Sequence, residues 1–88
     1  MNRAQRIEEI LRRSLAPTRL EVIDESARHA GHVGSRPEGE THFRIVLVSP
    51  RFEGMGRIQR HRAVHDLLAF EQKSGLHALT LELTAPSE

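Results

Sequence analysis

The chain has 88 residues, a net charge of +1 with its histidines neutral, an apolar fraction of 38% and no cysteine. That length fits one small domain spanning residues 1–88, which buries only about 60–65% of its unfolded surface and so has a modest core. The absence of thiols excludes disulfides and thiolate catalysis, the small net charge excludes the whole molecule as a strong polyanion binder, and Phe43, Phe52 and Phe70 are too few aromatics for a base-stacking platform.

The N-terminal stretch "MNRAQRIEEILRRSL" is charged throughout and lacks the apolar centre and small-residue cleavage site of a signal peptide. No apolar run approaches the roughly 20 residues of a membrane span. A cytoplasmic protein is the expectation. Within this stretch, "RIEEILRRSL" places Ile7, Ile10, Leu11 and Leu15 on one helical face, with Glu8 and Glu9 preceding Arg12 and Arg13 at i, i+4. Pro17 stops the helix.

"TRLEVID" reads as a strand. Residues 25 to 41, rich in Gly, Ser, Pro and Glu, read as a long connection. "HFRIVLVS" is the strongest strand, with Phe43, Ile45 and Leu47 on one face and Arg44, Val46 and Val48 on the other. Two largely apolar faces predict a central strand covered on at least one side by helices. "PRFEGMGR" is a turn region. "IQRHRAVHDLLAFEQKSG" is the longest predicted helix, with Ile58, Val64, Leu67 and Leu68 on its buried side and Gly75 as C-terminal cap. "LHALTLELT" is a final strand, with His77, Leu79, Leu81 and Leu83 sharing one face.

The expected order is therefore α-β-β-α-β. The first two strands pair antiparallel, and the long helix crosses over to a parallel third strand. This is an α+β, two-layer domain: a three-stranded mixed sheet with helices on one face.

The candidate functional residues are mostly histidines. His29 and His32 lie three apart in the Gly-flanked connection and could reach one ion, but zinc wants four ligands or three plus water, so spacing alone reads them as solvated. His77, by strand parity, reads as a partly buried histidine at the sheet edge; the alternative is a rigidly mounted ligand. His61 and His65 face the same way on the long helix, but the general-base glutamate of an HExxH site is missing, so they read as surface or packing residues. From Arg44 to Arg62 there are five arginines against Glu53 alone, and Arg60 and Arg62 read as a solvated basic face. In "FEGMGR", Gly54 and Gly56 are one residue apart, not the two of a GXXG clamp. No paired carboxylates, GxSxG or phosphate loop occur, so the sequence points to no enzyme.

"LEVIDES", "ETHFRIVLVSPRFEG", "IQRHRAVHDLL" and "LHALTLELTAPSE" resemble the BolA family in order and spacing. Together they cover most of the chain from Leu20 onward. The blocks "ETHF", "VSxxFxG" and "RHR" followed by "HAL" are specific in combination. The resemblance implies a fold similar to class II KH domains and a partnership with monothiol glutaredoxins: a monomer alone, a heterodimer with its partner. It further implies a [2Fe–2S] cluster shared between the two, with the glutaredoxin and glutathione giving thiolates and the BolA-like chain giving histidine, and no cofactor when alone. The family ligand near the chain's end matches His77. The second comes from the loop between the first two strands and matches His29, with His32 as the alternative. Replacing two thiolates by imidazoles on one iron is known cluster chemistry. Some members are DNA-binding transcriptional regulators linked to stress and cell shape; by that likeness the duplex-contacting residues would be Arg57, Arg60 and Arg62.

Overall fold

Ile7, Leu11 and Leu15 repeat at helical spacing and form the buried face of α1, Arg3–Leu15. The structure, a computed structural model, describes residues 1–26 and 41–88. Asn2 closes the start of α1. Its side chain accepts from the Gln5 N–H at 2.9 Å, and the Gln5 side-chain oxygen accepts from the Asn2 N–H at 2.9 Å. This capping box begins the helix a turn earlier than the apolar pattern implies. α1 ends as Ala16 turns into the left-handed region at φ 43°, one residue before Pro17.

Three strands follow the expected plan: β1, Arg19–Asp24; β2, His42–Val48; and β3, Ala78–Thr84. β2 is central, antiparallel to β1 and parallel to β3. Strand alternation and the register put Leu20, Val22, Phe43, Ile45, Leu47, Leu79, Leu81 and Leu83 on one sheet face. That face packs with Ile7, Leu11 and Leu15 of α1 and with Val64 and Leu68 into one hydrophobic cluster. Phe52, at the end of a 3-10 turn over Pro50–Phe52, is fully buried in the same cluster. Burying a side chain of this size stabilises by about 1.5–3 kcal/mol.

The predicted long helix is two helices, α2, Arg57–Leu67, and α3, Ala69–Lys73, so the order is α-β-β-α-α-β. The break falls at Leu68, φ −101° and ψ 15°, whose side chain is fully buried. The turn lets α3 present Glu71 to α1. Its carboxylate accepts from Arg3 Nε at 3.0 Å and Arg6 Nε at 2.9 Å, while Phe70 is 74% exposed. After α3, Ser74 caps and Gly75 takes φ 128°, a conformation side chains resist, so the expected glycine stop stands one residue beyond the cap.

Ile58 is a second correction. It is 70% exposed, not on the buried side. Six residues at about 100° each put it about 120° around α2 from Val64. The stripe that does face inward is Arg60, Val64 and Leu68, spaced by four, and Arg60 and Val64 are the buried residues of α2.

Candidate functional site

The end of the β1–β2 connection and the start of β3 meet in one hydrogen-bonded cluster. Asp24 ends β1, and its carboxylate accepts from the Ser26 N–H at 2.8 Å, a local Asx turn. The turn aims the Ser26 hydroxyl at the start of β2. Ser26 Oγ accepts from the Thr41 N–H at 2.9 Å and from the His42 N–H at 3.2 Å, and the Thr41 hydroxyl lies 3.3 Å from it. Ser26, Thr41 and His42 are all buried. Buried polar groups must be paired, and these are paired with one another.

The same cluster reaches the third strand. The Thr41 carbonyl accepts from two backbone donors, the His77 N–H at 2.7 Å and the Ala78 N–H at 3.0 Å. The parallel register sets His42 opposite Ala78, so His42 and His77 become neighbours. Their ring centroids are 5.3 Å apart with an interplanar angle of 58°. Thr41 Oγ1 lies 2.8 Å from His42 Nδ1.

His77 stands just before β3 and is exposed. The expected partly buried position is corrected: strand pairing has only begun there, and the inward parity starts with Leu79. The backbone bond to Thr41 mounts it firmly while its imidazole meets solvent. His29 and His32 lie outside the described residues. His42, which spacing did not mark, is the histidine that the fold brings beside His77. Among the described residues no group of three or more His, Cys, Asp or Glu could hold a metal ion.

The basic segment divides. Arg57 and Arg62 are exposed and, with Ile58, His61, His65 and Asp66, line a shallow depression on the outer side of α2. His61 and His65 are half-buried on that side, and His65 Nδ1 lies 2.9 Å from Gln72 Nε2. Arg60 does not belong to the expected solvated face. It is 9% exposed, lies over the Phe52 ring with its guanidinium carbon 5.7 Å from the centroid, and donates to the Met55 and Leu83 carbonyls. Its two terminal nitrogens donate to Glu88 at 2.6 and 2.5 Å. These bonds, with one from the Ala85 N–H, hold the Glu88 carboxyl down at about 2. Hydrogen bonding to Glu88 likewise raises the Arg60 pKa.

Arg44 is paired too. It donates to Glu25 at 3.1 Å and Glu82 at 2.7 Å, and its pKa is raised, first by the Glu25 hydrogen bond. The positive window from Arg44 to Arg62 is thus partly neutralised by acids from other parts of the chain. No helix among the described residues is long and apolar enough to cross a membrane.

With this geometry in view, the likenesses are specific. The family model described as "BolA-like protein" matches residues 11–88. The chain is 47% identical over 89 residues to "Protein BOLA1, chloroplastic" of Arabidopsis thaliana, covering 99% of this chain and 56% of that protein. It is 48% identical over 77 residues to "DNA-binding transcriptional regulator BolA" of Escherichia coli, covering 88% of this chain and 70% of that one. Among solved structures, the BolA domain of SufE1 from Arabidopsis thaliana superposes with a TM-score of 0.89 at 46% identity, over 99% of this chain and 95% of that chain. The chain therefore spans about half the length of the Arabidopsis chloroplastic relative, whose printed compartment differs from the cytoplasmic expectation.

Proposed function

The chain belongs to the BolA-like protein family, and from that premise we propose that it is the binding partner of a monothiol glutaredoxin in iron–sulfur assembly, transfer or iron sensing. The observation that carries the reading is His77: an exposed imidazole at the mouth of an edge strand, its backbone fixed by the 2.7 Å bond to Thr41. The donor set suits a shared [2Fe–2S] cluster: the chain has no thiol, so in this reading the sulfur ligands come from another molecule. In this reading His77 and one loop histidine, His29 or His32, face the cluster, and the glutaredoxin with glutathione supplies the thiolates. When bound, the cluster supplies one-electron chemistry and a visible chromophore.

The test is mixing with cluster-loaded monothiol glutaredoxin while recording visible absorption and circular dichroism. The parent should change the spectrum. His77→Ala should not, yet should still form the apo heterodimer by size-exclusion chromatography. An identical mixed spectrum from His77→Ala overturns the reading. His29→Ala and His32→Ala then assign the loop ligand by which of them reproduces the loss.

A second reading has its own support: the Escherichia coli relative is named a DNA-binding transcriptional regulator. The exposed Arg57 and Arg62 flank Ile58 and are the cations offered to duplex phosphates; Arg60, proposed with them from the family likeness, is committed to Glu88 in the free chain. Replacing Arg57 and Arg62 by Ala should lower the slope of log affinity against log salt by about one unit per lost phosphate contact. An unchanged slope removes the patch from the interface.

A further inference from the structure

We propose that the Arg60 guanidinium and the Ala85 N–H form a binding site for a phosphate oxyanion, and that the Glu88 carboxylate fills this site in the free chain as a built-in competitor. The proposal deepens the duplex reading but rests on it only for one source of the phosphate, because the donors all belong to this chain.

The first argument is convergence. Three donors meet on one carboxylate: Arg60 Nη1 at 2.6 Å, Arg60 Nη2 at 2.5 Å and the Ala85 N–H at 3.1 Å. A guanidinium presents its N–H groups as a planar fork, which suits a phosphate as it suits a carboxylate. The Glu88 carboxylate therefore stands where an incoming oxyanion would bind.

The second argument is that the donors are held without Glu88. Arg60 is 9% exposed. Its Nε donates to the Met55 carbonyl at 3.0 Å, and Nη1 also donates to the Leu83 carbonyl at 3.2 Å. Its guanidinium carbon lies 5.7 Å from the centroid of fully buried Phe52. These contacts come from the turn before α2, from β3 and from the core, so the fork stays aimed when the carboxylate leaves. Ala85 is buried at 1% exposure, which fixes the third donor.

The third argument is that the occupant can leave alone. Pro86, Ser87 and Glu88 are all exposed, and none of them belongs to the hydrophobic cluster. Two further bonds pin them back: the Glu88 N–H donates to the Ala85 carbonyl at 3.0 Å, and the Ser87 hydroxyl donates to Glu53 at 2.9 Å. Of the charges nearby, exposed Arg57 stands one turn before Arg60 on α2 and favours an incoming anion, while Glu53 opposes it.

The experiment follows the Arg60 Nε–Hε signal by NMR in the full chain as inorganic phosphate is added at constant ionic strength. In Glu88→Ala the signal should move saturably at one phosphate per chain. In the parent the same movement should need about tenfold more phosphate or above, since a charged hydrogen-bonding partner must first be displaced. Glu88→Gln removes the charge, keeps the length and should fall between the two; it carries the test if thermal unfolding shows that Glu88→Ala is not folded. Duplex DNA is the second probe. Where its phosphates reach the fork, the slope of log affinity against log salt should steepen by about one unit in Glu88→Ala, and Arg60→Gln in that background should remove the gain. Movement with inorganic phosphate and none with duplex keeps the site and assigns it to free phosphate. An Arg60 signal unmoved by both probes in the folded variant overturns the proposal; so does equal affinity in parent and variant. Neither result touches the Arg57 and Arg62 salt slope, which tests the duplex reading separately, nor the glutaredoxin spectrum.

Discussion

Among the described residues, two histidine pairs are built in opposite ways. His61 and His65 share one side of α2 because the helix repeats every 3.6 residues; they line the same depression, and the Gln72 amide lies 2.9 Å from His65 Nδ1. His42 and His77 meet because β3 runs parallel to β2 in one register, and a buried cluster of Ser26 and Thr41 ties their backbones together. The difference lies in what sets each pair. Local helix geometry alone sets the first pair, whereas strand register and a buried hydrogen-bonded cluster set the second. Helical spacing brings side chains near one another; tertiary structure fixes how they are presented.

The comparison assumes that α2 is held by its Arg60, Val64 and Leu68 stripe and not by its histidines, and Leu68→Ala should break that stripe hardest. Leu68 is fully buried beside Val64, so truncation should cost about 2–5 kcal/mol in chemical denaturation. A loss near zero would mean that the anchored face lies elsewhere. Glu71→Ala attacks the same scaffold through α3 and should cost about 3 kcal/mol, the low end for a broken buried pair, because the Arg6 side chain is 40% exposed. The Arg6 hydrogen bond, then that of Arg3, lowers the Glu71 carboxyl pKa against the opposing effect of burial. A lowered carboxyl stabilises the fold fully above the unfolded value of about 4.3 and loses that contribution as pH falls through the folded value. Stability against pH should therefore fall less steeply below that value in Glu71→Ala than in the parent.

Ser26→Ala tests the other pair. It removes the acceptor of two buried N–H groups, Thr41 and His42, and should cost about 1–3 kcal/mol. Hydrogen exchange at those two amides should accelerate most. Uniform exchange across β2 would show that Ser26 is not the lock.

A smaller effect separates Arg60 from its neighbours. In Arg60→Ala the Glu88 carboxyl, now held at about 2, should titrate in the ordinary glutamate range, as read from its side-chain carbon signal. Because its folded value is lowered, the clamp is complete above that ordinary range and is lost as pH falls toward 2. A carboxyl still near 2 without Arg60 would assign the effect to Ala85 alone.

What could be read in advance followed from short patterns and the connections between them. The buried row Phe43, Ile45 and Leu47 follows from alternation, β2 as the central strand from its two apolar faces, and the parallel third strand from the helical crossover. The break at Leu68 did not, since "HDLLAFEQKSG" keeps helical composition through it and the turn is driven by tertiary burial of Leu68 and the Glu71 pairing. Arg60 was misplaced although its spacing of four from Val64 puts it on the inward stripe; its charge argued for solvent, and the neutralising Glu88 is far along the chain. The family motifs marked His77. His42 was hidden because its partner is set by the β2–β3 register, which no local window contains.

The smallest expected effect is the sharpest test of the contrast between the pairs. Replacing both His61 and His65 by Ala should change folding stability by no more than about 0.5 kcal/mol in urea unfolding. Two terms oppose each other here. The variant loses the exposed contact between Gln72 and His65, which competes with water and so contributes little. It gains helix propensity at two positions, since histidine is less favourable than alanine, and that gain is offset by the lost packing of two half-buried rings. The sum lies near zero. A loss well above 1 kcal/mol would show that the helix pair is tied into the fold as His42 is, and the distinction between spacing and presentation would fail for this chain.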